Sequence, residues 1–244
     1  MNSPLRASAP KARWRPALAA GAALAMGVSI VTASVVGGSA AVAAPKKALK
    51  FDEASVQFVD NRTDKDGQLF WSVTYEKRMA DVAIHAPNGK LVATATFDRA
   101  GQADAHFDSP EPTVAALKKS YPAGRYKITG HSTAGRRLVK TVVLTYEHVA
   151  TTPVITSPTP LQTGVPTTGF VVRWNAVPGA SVIQLQVERD APHRALEIDL
   201  PGTMTEFTVP DGFLEAGTEY VVDVKAQHPS GNHTLSDVTF TTTP

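Results

Sequence analysis

The stretch GFVVRWNAVPGASVIQLQVE, residues 169–188, decides the fold of the C-terminal half of this chain. It begins with an apolar run that ends at Trp174, turns at Pro178 and Gly179, and resumes as a second run over 182–188. In the second run, apolar side chains occupy every other position. Because successive strand residues point to opposite faces of a sheet, the stretch predicts two β-strands with one buried face, joined by a tight turn.

The same two-residue alternation continues through the sequence on both sides of this stretch, from about Lys50 onward. Two segments of the N-terminal half have apolar faces made of Leu69, Trp71, Val73 and Tyr75, and of Leu91, Ala93, Ala95 and Phe97. Turn residues such as Asn88-Gly89 separate the segments, and one short helix is predicted near Pro112 to Lys119. The fold class is therefore predicted as all-β, with two tandem antiparallel β-sandwiches.

Residues 152–244 resemble a fibronectin type III domain over nearly their full length. The resemblance rests on Trp174 in strand B, on the alternating strand that follows it, and on Leu214-Glu-Ala-Gly217-Thr-Glu-Tyr220 before another alternating strand. It implies a sandwich in which Trp174 and Tyr220 are buried, with the tyrosine hydroxyl bonded to nearby backbone. It also implies an interaction module or a spacer.

The N-terminal half contains a weaker echo of that pattern. Tyr121-Pro-Ala-Gly124-Arg-Tyr126 again leads into an alternating strand, and we describe this half as immunoglobulin-like by pattern alone. The Pro- and Thr-rich segment 150–160 lies between the halves and should stiffen their connection. The predicted domains are a signal peptide at 1–44, an immunoglobulin-like sandwich at 45–150 and a fibronectin type III-like sandwich at 151–244.

The N-terminal segment has the organisation of a secretory signal. It contains a basic region up to Arg15, an uncharged run over 17–36 and small residues ending at Ala43-Ala44. An uncleaved membrane anchor is the alternative. Four of the 24 Lys and Arg residues lie in 1–44 and no Asp or Glu does, so the net charge of +2 becomes −2 after cleavage. The basic balance is therefore no argument for nucleic-acid binding.

Several chemistries are excluded or disfavoured by composition and spacing. The chain has no cysteine, which excludes disulfides, thiolate metal sites and cysteine nucleophiles. Gly130-His-Ser132-Thr-Ala134 comes close to an esterase nucleophile elbow, but a strand follows it where the elbow needs a helix. The segment Asp60–Gly67 looks like a calcium loop, yet Val73 falls where an EF-hand needs glutamate. Both segments are predicted to be hairpin turns, although a looser oxygen-ligand site stays open for the second.

Four histidines of the first domain could bind zinc or copper only if at least three converged in space. These are His85, His106, His131 and His148. They fall on different predicted strands and none is paired at ligand spacing, so we predict no metal site, no cofactor and no catalytic residue.

The predicted function is that of an exported, non-catalytic binding or scaffolding protein acting through sandwich loops or strand edges. The alternatives are an accessory polysaccharide-binding protein and an enzyme with an unrecognised site. The expected partner is a protein or another cell-envelope ligand. Nucleic acid is not expected, and a membrane is expected only if the signal stays uncleaved. The location would be periplasmic, cell-surface or secreted.

Overall fold

The computed structural model describes residues 47–244, which form one compact unit. The predicted signal peptide, 1–44, lies outside the described residues. Strands follow one another along the chain, with one helix in the first half. The strands are β1 Glu53–Asn61, β2 Asp66–His85, β3 Leu91–Thr96, β4 Gln102–Asp108, β5 Gly124–Ser132, β6 Arg137–Leu144, β7 Ile155–Ser157, β8 Gln162–Val165, β9 Val171–Trp174, β10 Val182–Arg189, β11 Arg194–Pro201, β12 Glu206–Thr208, β13 Glu219–Gln227 and β14 His233–Thr242. The predicted all-β class is confirmed.

The helix α1, Val114–Ser120, lies where the sequence predicts one. Thr113 caps its first turn, because the threonine hydroxyl accepts a hydrogen bond from the Ala116 N–H. Lys118 and Lys119 stand in its last turn, where positive charge is favourable. Leu117 is its buried residue and fixes the helix against the first sandwich.

The first sandwich is built around the 20-residue strand β2. Its two halves pair with different neighbours, and we refer to these groups as two sheets, although hydrogen bonds join all these strands into one 11-stranded sheet. The first half of β2 pairs with β1 and β4, and its second half pairs with β3 and β5, while β6 continues the second sheet beyond β5. The strand changes sheet near Arg78, which has a positive φ of 66°. The predicted face of Leu69, Trp71, Val73 and Tyr75 is confirmed as core.

The predicted apolar face of β3 is only partly correct. Ala93 and Ala95 pair with Ile84 and Val82 of β2 and pack against the core. The register shifts before Leu91, however, and its side chain is 49% exposed. A shift of one position turns a strand residue to the opposite face, so the alternation in the sequence misplaces Leu91.

The second sandwich packs a four-stranded sheet on a three-stranded sheet. The first has the order β11-β10-β13-β14, and the second has the order β12-β9-β7. Trp174 and Tyr220 both lie in the core between these sheets, with exposed fractions of 3% and 0%. The Trp174 Nε1–H donates to the Met204 carbonyl at 2.9 Å, and the Tyr220 hydroxyl accepts from the Glu215 N–H at 3.0 Å. The predicted burial of both side chains is confirmed.

The tyrosine echo in the first sandwich also bonds its hydroxyl to the backbone of the preceding turn. Tyr126 is fully buried, and its hydroxyl donates to the Pro122 carbonyl at 3.0 Å. Burial raises the pKa of Tyr126 to about 12, with a smaller contribution from Tyr121. The Tyr126 phenol thus stabilises the turn before β5 through a carbonyl four residues upstream, and Tyr220 stabilises the turn before β13 through an N–H five residues upstream.

The two sandwiches have separate cores but share one hydrogen-bonded sheet. One buried cluster contains residues from Phe51 to Leu144, and the other contains Val149 and residues from Ile155 to Phe240. Strand β1 pairs in parallel with β14, so strand order runs continuously from β11 through β14 and β1 to β6. The sequence predicted a stiff linker here and did not predict this pairing.

Candidate functional site

Ser132 of the elbow-like motif lies at the end of β5, in the hairpin that leads to β6. Its side chain is buried, and its hydroxyl oxygen accepts a hydrogen bond from the Arg136 N–H at 3.2 Å. His131 beside it pairs with Asp81, with Nδ1 2.9 Å from Oδ2. Neighbouring strand residues point to opposite faces, so this His–Asp pair stands on the outer face and Ser132 on the inner one. The predicted hairpin is confirmed.

The four histidines of the first domain lie in three separate places. His85 and His131 line one groove on the outer face of the second sheet. His106 of β4 lies near Asp104, and His148 lies at the junction of the sandwiches, 3.1 Å from Asp60. Within residues 47–244, no three His, Asp or Glu side chains are grouped to hold a metal ion.

The predicted calcium-like segment forms the turn between β1 and β2. Asn61 pairs with Asp66 across the hairpin, and the Asn61 side-chain oxygen accepts hydrogen bonds from the N–H groups of Thr63 and Asp64. Asp60 forms an ion pair with Arg62, with Oδ2 of the aspartate 2.9 Å from Nε of the arginine. The predicted hairpin is confirmed. The side chains of Asn61 and Asp60 both bond to other residues of the turn.

The junction between the sandwiches is centred on the buried Asn232, which is 2% exposed. Its oxygen accepts from the Phe58 N–H of β1 at 2.9 Å. Its amide nitrogen donates to the carbonyls of Thr145 and Glu147 at 3.1 and 2.7 Å. One side chain from the second sandwich therefore holds both the first strand of the first sandwich and the segment that connects the two.

Further hydrogen bonds extend the junction on both sides of Asn232. The Thr234 hydroxyl donates to the Val149 carbonyl at 2.6 Å. The Asp237 N–H donates to the Thr63 hydroxyl at 3.0 Å, and the Arg62 N–H donates to the Leu235 carbonyl at 2.8 Å. Backbone and side-chain bonds thus tie β14 to the β1–β2 hairpin as well as to β1.

One concavity of the first sandwich, about 530 Å³ in volume, is a groove on the outer face of the sheet formed by β3, the second half of β2, β5 and β6. We call it the basic groove. Its lining residues are Asp81, His85, Ala86, Pro87, Gly89, Arg125, Lys127, Thr129, Gly130, His131 and Arg137. Alternation along β5 sends Tyr126 and Ile128 into the core and leaves Arg125, Lys127 and His131 exposed.

Neighbouring strands widen this row of cations. Lys127 is opposite His85 of β2, and His131 is opposite both Asp81 of β2 and Arg137 of β6. The lining contains three permanent cations and a single carboxylate, which is already paired with His131. The groove therefore presents a positive surface that favours anions over cations and neutral molecules.

The second sandwich has a contrasting polar cluster on β10, β13 and β14. The Lys225 ammonium donates to the Gln186 oxygen at 2.9 Å, and the Gln186 amide donates to Glu188 at 2.7 Å. Burial raises the pKa of Asp223 to about 7 against the opposing effect of Lys225, and burial lowers the pKa of Lys225. Burial, with Lys225 nearby, also lowers the pKa of His233 to about 4. Lys225 is buried and already bonded to Gln186 within the cluster. The cations Arg125 and Lys127 of the groove, in contrast, are exposed.

An open strand edge adjoins the groove. The Leu49 N–H donates to the Arg137 carbonyl, and the Val139 N–H donates to the Leu49 carbonyl, so the chain before β1 pairs with the start of β6. The outward backbone groups of Thr141 and Val143 continue this edge without a hydrogen-bond partner among residues 47–244. The Val143 side chain is 57% exposed. This short edge can accept another strand.

Sequence reasoning missed the basic groove and Asn232. Alternation of charged and apolar residues in Arg125–Ile128 signals one outward-facing pair of cations. The neighbours of that pair come from β2 and β6, and their register depends on long-range pairing that local sequence does not encode. Asn232 lies in a Ser-Gly-Asn turn sequence, and nothing local distinguishes it from a surface turn residue.

Of the comparisons with known proteins, only the comparison with solved structures finds similar proteins. No family model matches the chain. No curated protein matches it either. No helix within the described part is long and apolar enough to cross a membrane.

The similar solved structures include fibronectin type III structures, the family that residues 152–244 resemble. The FN1-FN3 domains of chicken CNTN1 are 13% identical, with 81% of this chain and 70% of that chain covered and a TM-score of 0.33. A two-domain fibronectin type III segment of chicken tenascin is 10% identical, with 80% and 98% covered and a TM-score of 0.30. The fibronectin(III)-like modules of Clostridium thermocellum CbhA are 14% identical, with 80% and 93% covered and a TM-score of 0.26. At these scores the similarity carries no argument about function.

Proposed function

We propose that the mature chain is an exported, non-catalytic scaffold that holds two sandwich domains, 45–150 and 151–244, in a fixed orientation and binds its partner at an exposed surface. The observation that carries this proposal is the parallel pairing of β1 with β14, closed by the buried Asn232. Domains joined only by a linker are expected to move relative to each other. A shared sheet with buried side-chain hydrogen bonds opposes that motion.

The fixed orientation can be measured directly because the chain has no cysteine of its own. Spin labels on Lys119→Cys in α1 and His193→Cys in the β10–β11 turn report the distance between the sandwiches from two exposed sites. We expect one narrow distance distribution, and a broader one when Asn232→Ala is added. Asn88→Ala, in the exposed β2–β3 turn, is the matched control and should leave the distribution narrow. A broad distribution without Asn232→Ala would contradict the scaffold.

The open edge of β6 is the surface that we propose for a protein partner. Strand addition uses outward N–H and C=O groups of an edge strand, and the pairing of Leu49 with Arg137 and Val139 is an example within this chain. Proline is tolerated on an edge where its missing N–H would face outward. Val143→Pro therefore removes an outward donor while sparing the β5–β6 ladder.

The edge is tested by affinity capture from the native envelope fraction with the mature protein as bait. We expect Val143→Pro to reduce the captured partner at least about tenfold, as expected when an edge donor and its neighbouring pairing are lost together. Val143→Thr keeps the N–H and should capture normally. Equal capture by the proline variant would place the binding surface elsewhere.

The accessory polysaccharide-binding function remains a second candidate, because the basic groove offers a charged surface long enough for a polymer. Within residues 47–244, by contrast, Ser132 lies on the opposite face from the His131–Asp81 pair, and no observation favours an enzyme.

A further inference from the structure

We propose that the basic groove binds a linear anionic polysaccharide, one that carries carboxylate or sulfate groups on its sugars, aligned along β5. The proposal rests on the second candidate function above, accessory polysaccharide binding, and names the class of ligand for it. The cations that carry it are Arg125, Lys127 and Arg137, with His85 and His131 between and beside them.

The cations form a row that follows the strand direction. Arg125 and Lys127 are separated by one two-residue repeat, about 7 Å along the strand. Arg137 stands opposite His131, which is six residues from Arg125 and therefore about 20 Å away. A single small anion can contact only one end of this row. A polymer with regularly spaced charges can contact both ends.

The chemistry of the lining suits carboxylate or sulfate. Two of the three permanent cations are arginines, whose planar guanidinium groups donate paired hydrogen bonds to such oxyanions. Thr129 adds a hydroxyl in the middle of the row, opposite Ala83, where the small side chain leaves space. The carboxylate of Asp81 is held by His131, so it opposes the ligand less than a free carboxylate would.

The lining disfavours the other polymeric ligands. None of the lining residues is Phe, Tyr or Trp, whereas single-stranded nucleic acids bind through stacking of bases on aromatic side chains. Protein partners are anchored by large apolar or aromatic residues in pockets, and the apolar lining here is limited to Ala86 and Pro87. A neutral sugar would gain nothing from the charge. An anionic sugar polymer uses the features that the groove does have.

The test measures binding of the mature protein to defined oligomers by calorimetry at low salt. The probes are heparin oligosaccharides for sulfate, oligogalacturonates for carboxylate, dextran as the neutral control and single-stranded oligodeoxythymidylate as the competing polyanion. We expect binding to a heparin or galacturonate series that strengthens with length until the oligomer spans about 20 Å and weakens with added salt.

Matched variants separate the groove from overall charge. Arg125→Gln combined with Lys127→Gln removes two groove cations, whereas Arg99→Gln combined with Lys119→Gln removes two exposed cations elsewhere. We expect the groove variant to bind about 2- to 30-fold more weakly, the sum of two exposed ion pairs, and the control variant to bind normally. Unchanged circular dichroism and thermal unfolding identify the loss as one of contact.

Four outcomes would overturn the proposal: no binding to either charged series, equal weakening by the control variant, no dependence on length, or tighter binding of the oligodeoxythymidylate. The scaffold and its β6 edge are measured separately, through label distances and Val143→Pro. If the groove does not bind the glycans but the label distances and the Val143→Pro result are as expected, only the proposed ligand is wrong. If the glycans bind but the label distances and the Val143→Pro result are not as expected, only the scaffold proposal is wrong.

Discussion

Replacing Trp174 by alanine is expected to lower the free energy of unfolding of the second sandwich by roughly 3–5 kcal/mol. The side chain is 3% exposed within the core between the two sheets. Its removal creates a cavity and also leaves the Met204 carbonyl without the Nε1–H donor that it now has at 2.9 Å. Both effects lower the free energy of unfolding, because the cavity removes packing contacts and the carbonyl loses a hydrogen bond.

Chemical denaturation of the mature chain measures this loss, with the m-value as a check that the same surface unfolds. Trp174→Phe is the matched variant, since it keeps most of the apolar volume and loses only the donor and part of the ring. Its loss should be clearly smaller than that of alanine. A loss below about 1 kcal/mol for alanine, the level of an average surface or partly buried substitution, would mean that Trp174 is not a core residue.

Replacing Asn232 by alanine should lower the stability of the mature chain by about 2–3 kcal/mol and weaken the connection between the sandwiches. The substitution leaves the Phe58 N–H and the Thr145 carbonyl without their present partner, and it removes one of the two donors to the Glu147 carbonyl, which keeps the Ser230 hydroxyl at 3.0 Å. An unsatisfied buried donor costs about 1–3 kcal/mol, and more than one group is affected here. Denaturation of the full mature chain and hydrogen exchange at Phe58 are the measurements.

Two controls make the Asn232 result specific. Asn88→Ala changes an asparagine whose side chain accepts only a local turn bond from Lys90, and we expect less than about 1 kcal/mol from it. In the separate fragment 151–244 the partners from the first sandwich are missing, so Asn232→Ala should have little effect there. An equal loss in the fragment and in the full chain would show that Asn232 stabilises the second sandwich itself.

The alternating pattern was sufficient to predict the strands, whereas the core tryptophan and the tyrosine corner were implied by the resemblance to a fibronectin type III domain. Period-two alternation places Ile183, Leu185 and Val187 on one face whatever the neighbouring strands are, and these residues are indeed buried. The turn before Tyr220 is a local feature with local hydrogen bonds. Predictions of this kind depend on a few adjacent residues and need no knowledge of the partner strand.

The features that the sequence did not predict all depend on distant pairing. The change of sheet within β2 requires the bend at Arg78, which has a positive φ. Because this residue is not a glycine, the sequence contains no sign of the bend. The groove requires β2, β5 and β6 to align in one register, and the junction requires β1 to meet β14 across more than 170 residues. Many pairings are compatible with the same alternation, so local pattern cannot choose among them.

The outer edge of β14 is divided between two parallel neighbours. Strand β1 occupies it at His233, Thr234 and Leu235, and β8 occupies it at Phe240 and Thr242. Exposed edges are templates for aggregation, so β1 acts as a protective cover supplied by the other domain. A chain cut after residue 150 would expose half of that edge, and fragments 151–244 could then join edge to edge. The first domain, which is synthesised before β14, therefore carries the strand that covers this part of the β14 edge.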